Sequence, residues 1–294
     1  MARNFCAFAR QLKLLSVEPE FMRNSFMPKI RLSNGTKIFC LQKDEARLMY
    51  QEVQNYVKHG IQINAGDTVF DVGANIGLFT LWLFEKFNHQ INVYSFEPIP
   101  DIYEVLNANV KGLNAENIKL FPCGLSQQSG EVKFTYYPNM TFGSTAYPII
   151  KNSEIDDLKD IAVANFKHFP ASISWLRWLP YSVFSRIINY KLTSSFQGQQ
   201  VDCQLKTISE IIFEHQIEQI DLLKVDVEKS EMDVLLGIKD EDWKKIKQVF
   251  VEVHNLDFRI DQIRYLLKDK GFKNIKIEQE PILNGSDIFS LYAW

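Results

Sequence analysis

The chain has 294 residues, 46% of them hydrophobic, with 33 Lys and Arg against 36 Asp and Glu, a formal net charge of −3 and a pI near 6.0. That length suits one large domain, or one domain with an elaborated cap. The balance of charge offers no basic face, which argues against nucleic acid as substrate, and no stretch approaches the ~20 consecutive apolar residues of a membrane-spanning helix.

Four cysteines (Cys6, Cys40, Cys123, Cys203) are scattered without C-x-x-C spacing. This argues against a disulfide framework or a structural zinc site and fits a reducing cytoplasm. The opening MARNFCAFARQLKLL is too interrupted by Arg and Lys for a signal peptide. It reads as a short amphipathic helix with Phe5, Phe8, Leu12 and Leu15 on one side, packed on its own domain or docking a partner. Residues 28–42 carry Asn34-Gly35 between alternating residues, a hairpin signal. A helix follows from Asp44, which can cap it, to Gly60, which can close it. We take residues 1–63 as an N-terminal hairpin and helical extension and 64–294 as the main domain.

From Thr68 the pattern alternates strand and helix: TVFDV then LFTLWLFEKF, INVYSFEP then DIYEVLNANVKGL, then the strands NIKLFPCGLS and EVKFTYYP. The alternation resumes at QQVDCQLKTISEII and runs through IDLLKVDVE, SEMDVLLGI, QVFVEVH and DQIRYLLKDKGF to a closing strand, IFSLYAW. Such alternation predicts an α/β fold, a mostly parallel sheet with helices on both faces. Residues 150–196 break it with an apolar, tryptophan-containing helical insertion, placed to act as a lid or, alternatively, as a helical layer or homodimer surface.

In open parallel sheets ligands bind beyond the carboxyl ends of the strands. The first strand ends in Asp71-Val-Gly73-Ala-Asn75-Ile-Gly77 and the next in Glu97, about twenty residues on. A glycine turn paired with a carboxylate at the next strand end holds an adenosine, its ribose hydroxyls on the acid. The third strand ends in Cys123-Gly124-Leu125-Ser126, a wall for the adenine. The fourth ends in Asp226, with Glu228 close behind, and the fifth in Glu252 and His254, which share a face two residues apart. The remaining histidines (His59, His89, His168, His215) read as structural. The turn is not G-x-G-x-x-G and no G-x-x-x-x-G-K-[ST] occurs, so a dinucleotide or P-loop reading is disfavoured. An acid before the turn suits an adenosine with a cationic tail, as in S-adenosylmethionine.

DVGANIGLFT with FEP, then LLKVDVEKSEMDVLLGI, then VEVH, in this order, closely resemble the FkbM-type methyltransferases. The resemblance implies a Rossmann-like class I fold with a seven-stranded sheet, S-adenosylmethionine as cofactor, and O-methylation of a small molecule. It implies that Asp71, Gly73, Asn75 and Gly77 line the methionine end of the cofactor and that Glu97 takes the ribose. Lys229 replaces a glycine usual in that family's fourth-strand motif. Some related sugar enzymes bind magnesium near this strand end, and Asp226, Glu228 and Glu252 are the oxygen ligands available for it. His254 is the first expectation for the general base and Asp226 the second, with Glu228 and Glu252 orienting the base, binding substrate or holding metal. The loop 134–148, with Tyr137, Asn139, Thr141 and Ser144, reads as substrate-facing. Apolar content there and in the insertion favours a polyketide or related acceptor, free or tethered to a carrier protein, over a sugar. The alternative of another class is a non-catalytic docking module.

Overall fold

The computed structural model describes residues 27–113, 115–147, 180–280, 283 and 285–294. The amphipathic segment expected at residues 1–15, His168 and most of the insertion lie outside these. Strands β1 (Lys29–Arg31) and β2 (Lys37–Phe39) form the expected antiparallel hairpin, with Gly35 at φ +95 in its turn. Helix α1 (Lys43–Glu52) follows and tightens into a 3-10 turn at Val53–Tyr56. It is shorter than the sequence suggests, and Asp44 lies in its first turn, paired with Arg47, rather than capping it.

The central sheet begins with β3 (Thr68–Val72), α2 (Leu78–Lys86), β4 (Asn92–Phe96), α3 (Pro100–Lys111) and β5 (Ile118–Phe121). The chain then leaves this sheet through β6 (Gly124–Leu125), β7 (Gly130–Tyr136), α4 (Tyr181–Ser195) and β8 (Gln199–Lys206). It returns through α5 (Ile208–Glu214), β9 (Leu222–Val225), α6 (Glu231–Leu236), α7 (Asp240–Trp243), β10 (Val249–His254), α8 (Arg259–Asp269), β11 (Ile275–Glu278) and β12 (Ile288–Ala293). The order across the seven strands is β5-β4-β3-β9-β10-β12-β11. β12 runs antiparallel to both its neighbours and the other adjacent pairs are parallel. This is the expected class I methyltransferase topology, with the strand order reversing between the parallel neighbours β3 and β9, the place where such sheets bind ligands.

One expectation needs correction. NIKLFPCGLS is two strands, because Pro122 cannot donate to a ladder and the chain turns there. β6 joins β8 and β7 in a separate three-stranded sheet, with β7 antiparallel to β8 from Gly130↔Leu205 to Tyr136↔Gln199.

Alternation along the buried strands feeds two cores. Val69, Leu222 and Phe250 face the cluster that includes α2 and α3, while Phe70, Val72, Leu223 and Val251 face the cluster that includes α5, α6 and α8. Each fully buried Phe or Leu side chain contributes about 1.5–3 kcal/mol. The hairpin and α1 belong to the first cluster through Ile30, Ile38, Ala46 and Val53, so the extension is welded onto the sheet. Its far end is fixed by Gly60, where a Cβ would lie 2.0 Å from the Trp294 indole. Gly60→Ala is therefore expected to destabilise the protein by about 1–3 kcal/mol, read as a lowered urea midpoint, and Trp294→Ala in that background should recover part of the loss.

Candidate active site

A cleft with about 1150 Å³ of empty space including its mouth lies beyond the carboxyl ends of β3, β4 and β9. Its floor is the turn after β3. The Gly73 and Ala74 amides donate to the Phe96 carbonyl at 3.1 and 2.9 Å, tying this turn to β4. Gly73 has φ +77, and a Cβ there would lie 2.0 Å from the Asp226 carbonyl. The glycine is thus required by contact with the β9 loop, beyond any approach to a ligand. Gly77, at φ +87, is buried against Leu106 of α3 and lies off the cavity wall.

Of the residues expected to hold a cofactor, Glu97 has the best-defined surroundings. It lines the cleft, is 5% exposed, and accepts the Asn75 amide at 3.0 Å and the Ile99 amide at 2.9 Å. A carboxylate offers about four lone-pair sites, so two backbone donors leave capacity for a vicinal diol. Burial pushes its carboxyl up to about 7, against the lowering effect of these two amides. Asn75, at φ +50, returns its own Oδ1 to the Ile76 amide.

Asp71 sits beneath the turn rather than on the cleft wall. On the sheet it is the direct cross-strand partner of Lys224. The Lys224 ammonium donates to Asp71 Oδ1 at 2.8 Å and to the Gly73 carbonyl at 2.9 Å, and lies 3.4 Å from Asp226 Oδ2. Thr80 of α2 donates to Asp71 Oδ2 at 2.7 Å. Asp71 therefore holds the lysine that holds the turn and the Asp226 carboxylate.

His254 is placed differently from expectation. It is 1% exposed and off the cleft wall, with Nδ1 2.6 Å from Glu231 and Nε2 3.0 Å from Glu228. Burial disfavours its charge, but these two carboxylates outweigh burial and hold its pKa at about 9. The expectation that His254 faces the cleft is therefore not met: the cleft-lining carboxylate beside it is Glu228. Glu231 also accepts from Arg259 at 2.8 Å and from the Lys229 amide at 3.0 Å. Lys229 stands at φ +71, so this lysine adopts the left-handed conformation that glycine adopts freely.

The substrate-side expectations divide. Thr141 and Ser144 line the cleft with Phe142, Thr145 and Tyr147. Tyr137 and Asn139 do not: the first packs edge-on against Phe196 and the second donates to the Ser194 carbonyl at 3.2 Å, so both anchor the end of α4. Gly124 and Ser126 are on the wall, whereas Cys123 is buried behind it. Glu252 lines a second, smaller cleft with Tyr56 and Glu280. Asp226, Glu228 and Glu252 thus do not converge, and among the described residues no group of three His, Cys, Asp or Glu is arranged to hold a metal ion.

The wall residues not anticipated from sequence include Met49, Val53 and Tyr56 of the extension. Their spacing of four and three marks one helical stripe, but nothing in that stripe says what it covers. From the same helix, buried Glu45 accepts Thr141 Oγ1 at 2.6 Å and the Phe142 amide at 3.0 Å, clasping the substrate loop to α1.

Four carboxylates (Glu97, Asp226, Glu228, Asp233) and one ammonium (Lys224) line the cleft among the described residues. A surplus of negative charge in a partly enclosed site favours a cation and disfavours phosphates. An adenosine carrying a sulfonium and an amino acid fits this donor set: Glu97 for the ribose, Gly124–Ser126 beside the base, and the acids at the β9 end for the positive charge.

Burial also pushes Glu45 up to about 7. Glu45 and Glu97 share the ordinary value of 4.5 once unfolded. Their protonated forms are favoured by folding, so this stability is fully present below 4.5 and is lost as pH rises through about 7. Urea melts of the ligand-free protein should show the fall between those limits, and Glu45→Gln should flatten part of it.

A protein-family model, Methyltransferase FkbM domain, matches residues 71–273. Curated relatives include 31-O-demethyl-FK506 methyltransferase FkbM of Streptomyces tacrolimicus, 32% identical over 90% of this chain and 95% of the relative. Methyltransferase sdnD of Sordaria araneosa is 32% identical over 83% and 89% of the two chains. The AMB antimetabolite synthetase AmbE of Pseudomonas aeruginosa is 32% identical over 90% of this chain, which spans only 12% of that longer protein. The chain belongs to the FkbM family of methyltransferases.

Proposed function

We propose that this methyltransferase uses S-adenosylmethionine to methylate a hydroxyl on a small, largely apolar acceptor of polyketide or related natural-product type. The observation that carries the reading is the two-sided cleft. One side is the carboxylate-rich strand ends; the other is an apolar wall of Met49, Val53, Leu78, Phe79 and Phe142. An apolar acceptor is matched by this wall, whereas a sugar would have to draw its hydrogen bonds from Thr141, Ser144, Thr145 and Tyr147 elsewhere on the cleft. The relative named for 31-O-demethyl-FK506 supports a polyketide acceptor and transfer to oxygen. The match to one segment of a synthetase supports an acceptor delivered by an assembly-line protein.

The cofactor supplies an electrophilic methyl group. The protein's part is to hold the acceptor hydroxyl in the apolar wall, exclude water, and take the proton. Asp226 is the proton acceptor in this proposal, because its carboxylate lines the cleft and is fixed by Tyr56 at 2.9 Å and Lys224 at 3.4 Å. Glu228, braced by His254, orients the acceptor beside it.

Calorimetric titration with S-adenosylhomocysteine tests the cofactor half. Glu97→Ala should weaken binding by roughly 10- to 100-fold, as expected for a buried charged hydrogen-bond acceptor; unchanged affinity would remove Glu97 from the site. For the chemistry, hydroxylated polyketide thioesters and 31-O-demethyl-FK506 are the acceptors to try. Asp226→Asn should lower turnover about 100-fold or more while S-adenosylhomocysteine still binds. Binding without methylation of any alcohol by the unmodified protein would favour the docking-module reading.

A further inference from the structure

The family match begins at residue 71, yet one wall of the active site comes from upstream of it. Within that wall Tyr56 is unlike its apolar neighbours. It is 6% exposed, and its hydroxyl donates to Asp226 Oδ2 at 2.9 Å. Its ring is locked on three sides: edge-on to Phe79 at 5.2 Å, tilted against Phe250 at 4.8 Å, and beneath the Lys224 ammonium, 5.3 Å from the ring centre. A phenol so confined has little freedom to aim its O–H elsewhere.

Asp226 follows the last residue of β9, and its side chain is short. The Tyr56 hydroxyl and, at a greater distance, the Lys224 ammonium reach its Oδ2. Lys224 is also engaged by Asp71 and the Gly73 carbonyl. The phenol thus opposes rotation of the carboxylate into a closer ion pair with Lys224. We propose that Tyr56 is a positioning residue of the methyl-transfer site, its hydroxyl setting the orientation of the Asp226 carboxylate. The N-terminal extension then completes the catalytic centre as well as roofing it. This rests on the methyl-transfer reading, in which the acceptor O–H bond breaks, its proton passes to Asp226, and the oxygen forms the new bond to the methyl carbon.

The test is Tyr56→Phe in the full chain, which keeps the ring and its packing and removes only the O–H. Two readouts are needed. In the first, protein labelled with 13C at the aspartate side-chain carboxyl is saturated with S-adenosylhomocysteine at fixed pH, and the Asp226 resonance is identified through Asp226→Asn. That resonance should move in Tyr56→Phe, while S-adenosylhomocysteine affinity stays within about twofold; an unmoved resonance overturns the proposal. In the second, turnover of the alcohol panel should fall roughly 10- to 100-fold in Tyr56→Phe. The same change in an Asp226→Asn background should have no further effect, because a residue acting through Asp226 has nothing left to position. Losses that multiply would show an independent, merely structural role and overturn the proposal. If the unmodified protein methylates no alcohol, the functional reading falls instead, and the resonance comparison still decides whether Tyr56 governs Asp226.

Discussion

The buried ammonium of Lys224 is the constraint on which the site depends. Asp71 and Lys224 are direct partners on adjacent strands, and their side chains are 0% and 3% exposed. Removing one member of such a pair strands the other's charge, at a cost of about 3–5 kcal/mol. The lysine also donates to the Gly73 carbonyl, so the pair sets the shape of the turn under the cofactor as well as the stability of the sheet. The row continues outward on both sides. Ser95, beside Asp71 on β4, shares the Thr80 hydroxyl, and Phe250, beside Lys224 on β10, supports the ring of Tyr56. Stability and function here use the same atoms.

A second polar cluster does for Glu228 what the first does for Asp226. Glu231 is fully buried and takes His254, Arg259 and the Lys229 amide. With His254 held as an imidazolium, the cluster balances its charge and leaves Glu228 facing the cleft. Lys229 in a left-handed conformation is accommodated because its amide and its carbonyl are both bonded, the carbonyl to Arg259 at 2.6 Å. The departure from the family's glycine therefore reshapes no more than this loop. The substrate loop closes over the same region, with Thr145 donating to the Glu228 carbonyl at 2.6 Å and Tyr147 to Asp233 at 2.8 Å.

Much of this was legible in the sequence because it is local. Asp71, Gly73, Asn75 and Glu97 fall at strand ends whose apolar runs are unambiguous, and a parallel sheet brings such ends together. The motif around Lys224, Asp226 and Glu228 was legible for the same reason. The misassignments are long-range. His254 lies two residues from Glu252, and a side chain near neutrality invites a base role; only the fold places Glu228 and Glu231 on either side of it, which raises its pKa. Tyr137 and Asn139 sit in a loop whose later residues face the cleft, but its first part turns toward the end of α4. Pro122 was visible, yet its consequence, a second sheet formed with β8 some eighty residues later, was not.

What the sequence determined by itself was the family, the α/β layering and the carboxylate at the end of β4, since each rests on contiguous patterns of apolar and special residues. The tertiary structure decided which groups face the cleft and in what state of charge. It made Met49, Val53 and Tyr56 a wall of the cleft, placed Glu252 in a different cleft, and buried His254 between two carboxylates, away from the cleft wall. Those outcomes depend on which side chains meet across distant segments. Burial and neighbouring charge, which set the chemistry of an ionisable group, exist only once the chain has folded.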